Sequence, residues 1–420
     1  MCNGTIMDKL ISFSIPLMLS GILQLMFNAV DIVVVGRFSG SQALAAVGST
    51  TALINVFTNL FIGISLGANV LAARYYATGK TKEMSETVHT AIALALVSGV
   101  AMAVIGVVFA RGALEIMGTP DDVIAKSTLY MRIYFCGMPF FMMYNYGAAI
   151  LRAVGDTKRP LIFLIVSGVI NAVLNLFLVI GFHLDVAGVG IATVISQLVS
   201  CILVLRCLHH TESSYQLHLA KLRIRSVYLK QIFEVGVPAG IQSTVINISN
   251  AMLQSSVNSF GSIAMAGYTA SNNIFGFLYV SVNSFTQACM SFTSQNYGVK
   301  KLKRMDRVLI DCMILSVVVT LILGSSVYIF GPELLHIYSN QADVIKYGME
   351  IFSYTTVTYF LCGLMDLFPG ALRGMGYSTV PMILSIIGTV GVRIIWIYGL
   401  FPSHRSLTFL FLSYPVSWIA

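Results

Sequence analysis

Polar side chains stranded inside long apolar stretches are the residues of this sequence whose chemistry needs explaining. Asp31 is the clearest, because an acid at the centre of a membrane helix costs about 2.5–3.5 kcal/mol on insertion scales and is kept where it faces protein or water. Gln24, Asn28 and Asp31 follow the i, i+4, i+7 spacing that lines one helix face. Further along, Asn171 and Asn175 lie one helical turn apart in one apolar stretch, and Thr193 and Gln197 repeat that spacing in the next. With Asp31 they supply one carboxylate and several neutral oxygens, the hard donors that Na+ or a hydrated proton requires. The competing roles are ordinary. Asp31 near a helix end reaches water or pairs with Arg37, and the amides and hydroxyl make interhelical hydrogen bonds averaging about 0.6 kcal/mol each.

The later part of the chain carries a second stripe, Asn247, Asn250, Gln254 and Asn258, with no acid in it. It has instead Asp366 and Arg393, each inside an apolar stretch. A pair between the two would lower the cost of both, so a structural ion pair is the first expectation and ligand binding the second. Twenty methionines, with Phe140, Phe141, Tyr144 and Tyr146, offer adaptable apolar and aromatic surface for flat cationic molecules, although most such residues serve packing. The residues placed near a substrate cavity are Gln24, Asn28, Tyr144, Asn145, Gln197, Asn247, Gln254, Asp366 and Arg393.

Catalytic patterns fail on inspection. Ala77 to Thr81 resembles the end of a phosphate-binding loop, but Arg74 stands where its first glycine is required. Gly374-Met375-Gly376 lacks the third glycine of a dinucleotide fingerprint, and there is no HExxH helix. The seven cysteines form no CxxC pair and read as small hydrophobes. The expectation is a protein that is not an enzyme and has no cofactor, driven by an ion gradient or by another subunit.

Composition then dictates what must hold these side chains. The chain is 57% hydrophobic and 10% charged, against about 45–50% apolar and about 25% charged for an ordinary soluble domain. Uncharged blocks long enough to span a bilayer recur, and without polar/apolar alternation they must be helices. Spans are expected near 10–36, 44–73, 87–110, 128–150, 160–182 and 187–208, then near 230–258, 264–293, 308–330, 349–370, 381–400 and 407–420. The net charge of +8 does not indicate nucleic acid, because most of the 25 basic residues fall in the loops of one side. That asymmetry places the N-terminus and the middle linker in the cytoplasm of a multi-pass plasma or inner membrane protein.

The two halves are copies at a near-constant offset: Tyr76, Lys80, Lys82 and Met84 match Tyr297, Lys301, Lys303 and Met305, and Leu151-Arg152, Gly155 and Pro160 match Leu372-Arg373, Gly376 and Pro381. Pro16 and Pro238 correspond with a shift of one. The expected domains are a six-helix lobe over 1–208, a linker over 209–229 and a second six-helix lobe over 230–420. An even number of spans per copy makes these parallel repeats, with a substrate site near the midplane.

The residues resemble the multidrug and toxic compound extrusion (MATE) family. The resemblance rests on Val30-Asp31 leading to Gly36, on Gln295-Asn296-Tyr297-Gly298, on the duplicated Leu151-Arg152-Ala153-Val154-Gly155 and Leu372-Arg373-Gly374-Met375-Gly376 loops, on Asn171-Ala172-Val173-Leu174-Asn175, and on Gly188 to Thr193. It implies an all-α, twelve-helix exporter that alternates between inward- and outward-open states, acting as a monomer on small amphipathic, often cationic compounds. It also implies an ion site at Asp31, Asn171, Asn175 and Thr193, where Na+ or H+ binds. A second acid of the family pattern is replaced here by Asn175, and no acid stands near Ile246 and Asn247 in the seventh span. A lipid-linked saccharide flippase of the related superfamily is the nearest rival. A membrane sensor or channel subunit is a distant one.

Overall fold

The structure is a computed structural model that describes all 420 residues except the side chains of Ser41 and Ala52. It is helical throughout, with no strand among the described residues. The first repeat contains α1 (Met7–Phe38), α2 (Ser41–Ala77), α3 (Thr81–Ile116), α4 (Asp121–Cys136), α5 (Met138–Ala153), α6 (Lys158–Leu176) and α7 (Asp185–His209). The second contains α8 (Ser226–Asn258), α9 (Ser262–Gly298), α10 (Leu302–Ile329), the short α11 (Gly331–His336), α12 (Ala342–Thr355), α13 (Tyr359–Met375), α14 (Thr379–Ser385), α15 (Val392–Ile395), α16 (Leu407–Phe411) and α17 (Ser413–Ile419).

Every expected span has a counterpart, and most run unbroken. The fourth divides into α4 and α5 at Gly137, because Pro139 has no N–H to continue the ladder. Its copy divides into α12 and α13 with a bend of 54°. The fifth and eleventh spans loosen into π-wound turns, at Phe177–Gly181 in one and at Ile386–Gly391 and Trp396–Leu400 in the other. The twelfth divides at Leu412 into the short α16 and α17. Seven helices, or eight with the bent pair, are long and apolar enough to cross a membrane on composition alone. Their outer faces are apolar and exposed, as at Val104, Val108 and Phe109 on α3 and at Ile322 and Ile329 on α10. Lipid is the solvent such faces suit.

The duplication extends to backbone conformation. Gly40 and Gly261, at equivalent repeat positions, precede α2 and α9 at φ 86° and 100°, and Gly155 and Gly376 end the paired Leu-Arg loops at φ 99° each. At a third pair the residue type differs while the shape persists: Gly79 has φ 67°, and Lys300 adopts φ 58° in its place. A Cβ in that left-handed region costs about 1–2 kcal/mol.

Packing gathers the chain into two compact units, Leu19–Gly240 and Met1–Met18 with Ile241–Ala420. These boundaries differ from the expected 1–208 and 230–420, because each repeat's first helix begins in the other unit. Leu10, Phe13 and Leu17 of α1 bury with Phe285, Cys289 and Phe292 of α9. In the other unit, Gly63 and Gly67 of α2 face Gly240 and Gly236 of α8. A Cβ on Gly63 would lie 2.3 Å from Gly240 Cα, and one on Gly67 would lie 2.1 Å from Ile232 O. Small residues one turn apart on both helices permit this backbone contact. The linker is strapped to α3, where the His218 N–H donates to His89 Nε2 at 3.1 Å and Arg223 and Arg225 pair with Glu86. Burial, with Lys221, His89 and His209 adding to it, holds the His218 imidazole below its usual range.

Two substitutions test this frame. Gly67→Leu is expected to destabilise by about 1–3 kcal/mol through overpacking, seen as a lower melting temperature in detergent, whereas Gly48→Ala, with nothing within 4 Å, leaves it unchanged. Lys300→Gly is expected to gain about 1 kcal/mol by releasing left-handed strain, and a melting temperature that falls would contradict that account.

Candidate functional site

The site is built where α1 meets α6 and α7. Gly168 sets the distance: a Cβ there would fall 1.8 Å from Phe27 Cε2, so only the bare glycine lets the Phe27 ring lie against α6. Asp31 follows Phe27 by one turn and so arrives opposite Asn171 and Asn175, the next turns of α6.

The Asn175 amide nitrogen donates to Asp31 Oδ1 and, at 3.1 Å, to Asn171 Oδ1. The Asn171 amide in turn donates to Thr193 Oγ1 of α7 at 3.5 Å, and the Thr193 hydroxyl donates to Val189 O at 2.9 Å. Asn171 and Asn175 are buried, and Asp31 and Thr193 are half-buried. Two acceptors are left over. Asn175 Oδ1 is buried with no hydrogen-bond partner, and so is Gln197 Oε1 one turn beyond Thr193 on α7. Buried oxygens without donors are costly unless a cation or proton comes to them. Among the described residues no three of His, Cys, Asp and Glu cluster as metal ligands. A single carboxylate among neutral oxygens suits one hard monovalent cation.

Two residues not singled out by the sequence belong to the same neighbourhood. The phenols of Tyr130 and Tyr134 on α4 lie within electrostatic reach of Asp31. Their i, i+4 spacing was the available signal, hidden because tyrosines at helical spacing usually mean packing. Gly190 admits Tyr130 and Ile133, since a Cβ there would meet Ile133 Cγ2 at 2.9 Å.

The remaining candidates scatter. Gln24 and Asn28 are exposed on α1, and Asn247 is exposed on α8 with Gln254 half-buried two turns on. Tyr144 donates its hydroxyl to Pro160 O at 3.1 Å, and Asn145 returns its amide to Phe141 O of its own helix at 2.8 Å, so both have local partners. Asp366 and Arg393 do not form the expected ion pair. Arg393 donates instead to Asn250 Oδ1 and Ser417 Oγ, while Asp366 on α13 has Tyr279 and Arg373 in electrostatic reach. The reason is placement: neutral oxygens of α8 and α17 lie at the guanidinium, whereas the charge that acts on Asp366 is Arg373 of its own helix.

The family model described as MatE matches residues 16–177 and 238–398, so that each match covers most of one repeat. A probable multidrug resistance protein, YoeA of Bacillus subtilis (strain 168), is 29% identical over 389 residues, covering 91% of this chain and 84% of its own. A MATE transporter crystallised in complex with MaL6 superposes with a TM-score of 0.92 at 19% identity, covering 99% of this chain and 94% of its own. A MOP superfamily transporter from Pyrococcus furiosus does so with a TM-score of 0.91 at 20% identity, covering 99% and 93%. At those identities the superpositions establish the two-lobe, all-helical fold.

Thr193→Val keeps the shape but removes the oxygen that accepts from Asn171. It is expected to weaken cation-induced stabilisation about tenfold in apparent affinity, the equivalent of one hydrogen bond, in Na+ and pH titrations of the detergent-solubilised protein. Tyr144→Phe, outside the site, is the control expected to behave as wild type. Coincident titrations for the two variants would exclude the Thr193 hydroxyl.

Proposed function

The chain belongs to the MatE family, and from that premise we propose that it is a secondary active exporter of small amphipathic, often cationic organic compounds, coupled by alternating access to inward movement of Na+ or H+. The observation that carries this reading is the chain Asp31–Asn175–Asn171–Thr193 with its unpartnered Asn175 Oδ1. It is an acid held inside a membrane helix bundle by one amide donor, with a spare oxygen beside it. Such a group takes up a cation and gives it back at modest cost, because both the charged and the neutralised forms have partners.

Coupling needs the ion and the substrate to favour different conformations, since a ligand shifts an equilibrium only by its differential affinity for the two states. Asp31 supplies that difference on the ion side. Neutralised, it removes a buried charge and favours the state in which α1, α6 and α7 close on it. Ionised, it favours a state that offers it water or a cationic substrate. Inward movement of the ion down its gradient then returns the carrier to the state that accepts the next substrate. The multidrug resistance relatives support export over a lipid-linked saccharide flippase. The excess of basic residues in the loops of one side supports a cytoplasmic N-terminus and linker.

Reconstituted into proteoliposomes, the wild-type chain is expected to move a cationic dye when a Na+ or a H+ gradient is imposed separately, and the gradient that works identifies the ion. Asp31→Asn keeps the size and the hydrogen bonds but cannot change charge, so gradient-driven movement is expected to fall to background. Full transport by that variant would remove Asp31 from the mechanism, and no dye movement under either gradient would count against the exporter.

A further inference from the structure

Arg393 is a buried charge that the proposed ion coupling leaves unused. It is 3% exposed and sits in α15, a single α-helical turn between the two π-wound segments of its span. Its Nε donates to Ser417 Oγ at 3.1 Å, one terminal nitrogen donates to Asn250 Oδ1 at 2.7 Å, and the guanidinium lies 5.0 Å from the centroid of the Tyr414 ring. Tyr414 is fixed in turn by Tyr268, their hydroxyls 2.7 Å apart. All of these partners are neutral. Among the described residues no carboxylate makes an ion pair with Arg393, and its other terminal nitrogen has no hydrogen-bond partner. Arginine keeps its charge when buried, and these neutral partners leave that charge uncompensated and available to an anion.

The internal repeat gives this arrangement its meaning. At the offset that relates the two copies, Tyr414 stands at the position of Thr193 and Ser417 at that of Ser196. Arg393 takes the place of Ala172, beside Asn171, and Asn250 that of Asn28 with the shift of one that also relates Pro16 to Pro238. The second copy therefore places a buried cation on the helices equivalent to those of the ion site, one position from the counterpart of Asn171 and with Tyr414 in the place of Thr193. At the counterpart of Asp31, under the same shift, it has the buried Leu253, and at that of Asn175 it has Trp396. We infer that the second repeat holds an anion site in which Arg393, fixed by Asn250, Ser417 and Tyr414, receives a monovalent anionic group. The planar fork of a guanidinium matches a carboxylate and also takes a halide. The group is either the carboxylate of a zwitterionic substrate, which rests on the exporter reading, or a free inorganic anion, which does not.

Two arms separate these sources. The chain has two tryptophans, and Trp418 packs on Tyr414 with ring centroids 5.7 Å apart. In Trp396→Phe protein, iodide is expected to quench the remaining fluorescence saturably. Adding Arg393→Gln makes that quenching weak and linear without changing quenching by neutral acrylamide, and Arg393→Lys, which keeps the charge, restores part of it. In the second arm, tetramethylrhodamine and its methyl ester differ only in a free carboxylate. In chloride-free buffer the wild type is expected to bind the carboxylate form about tenfold tighter than the ester, the gain of a charge-assisted hydrogen bond, and Arg393→Gln to erase that preference. Saturable iodide quenching with equal binding of the two dyes assigns the site to a free anion and overturns the substrate carboxylate. Saturable iodide quenching with neither dye bound supports the anion site and counts against the exporter reading alone. Equal iodide quenching in the wild type and Arg393→Gln overturns the site itself.

Discussion

The bond from the Asn175 amide to the Asp31 carboxylate ties α1 to α6, and much of the first repeat is arranged so that it can form. A carboxylate in hydrocarbon has no water to turn to, so its partners must be delivered by neighbouring helices at hydrogen-bonding distance. That delivery needs α1 close to α6, which Gly168 allows by giving its side-chain space to Phe27. It needs α7 placed so that Thr193 can take the Asn171 amide, and Gly190 in the same helix leaves room for Tyr130 and Ile133 of α4. The small residues of these helices are therefore the means by which the polar ones meet. Without close backbone approach the short side chains of asparagine and threonine could not reach across.

The duplication separates what the frame requires from what the chemistry requires. Turn geometry survives in both copies, at Gly40 and Gly261, at Gly155 and Gly376, and even at Gly79 and Lys300, where the second copy tolerates a strained lysine to keep the same path. Broken spans occur at matching places, α4 with α5 and α12 with α13. The buried polar residues do not survive in this way: the first copy keeps Asp31 and its amides, and the second keeps Arg393 with a neutral cradle. Backbone turns are constrained by the whole fold, whereas a buried charge is constrained by the few residues around it. That is why the copies agree in shape and differ in charge.

The same distinction governs what could be read before the structure. Spans and duplication were legible because hydrophobic length and repeated Leu-Arg-x-x-Gly loops are local properties of the chain. The association of Asp31 with Asn171, Asn175 and Thr193 was approachable, since helical spacing places each set on one face and the cost of burial argues that the faces meet. The actual partners of Asp366 and Arg393 were not. Burial cost says that each needs a partner but not which one, and neutral oxygens on α8 and α17 serve the arginine. Tyr130 and Tyr134 were hidden because an aromatic ring is at home in an apolar core, so tyrosines at helical spacing read as packing. The unit boundaries within α1 and α8 were hidden too, because a helix that begins in one core and ends in another leaves no mark in composition.

One detail of the first site limits how it can work. With Asn175 where a second acid would otherwise stand, the site carries at most one negative charge, so one proton or one Na+ neutralises it fully and a second cation would be unpaired. The two ions make different demands on the amide. A proton on Asp31 leaves Asn175 free to keep donating to Asn171. A metal ion that took Asn175 Oδ1 as a ligand at Asp31 would need the amide to turn and surrender both of its donor bonds. Neutralising Asp31 with a proton therefore disturbs these two bonds less than a cation bound through Asn175 Oδ1 would.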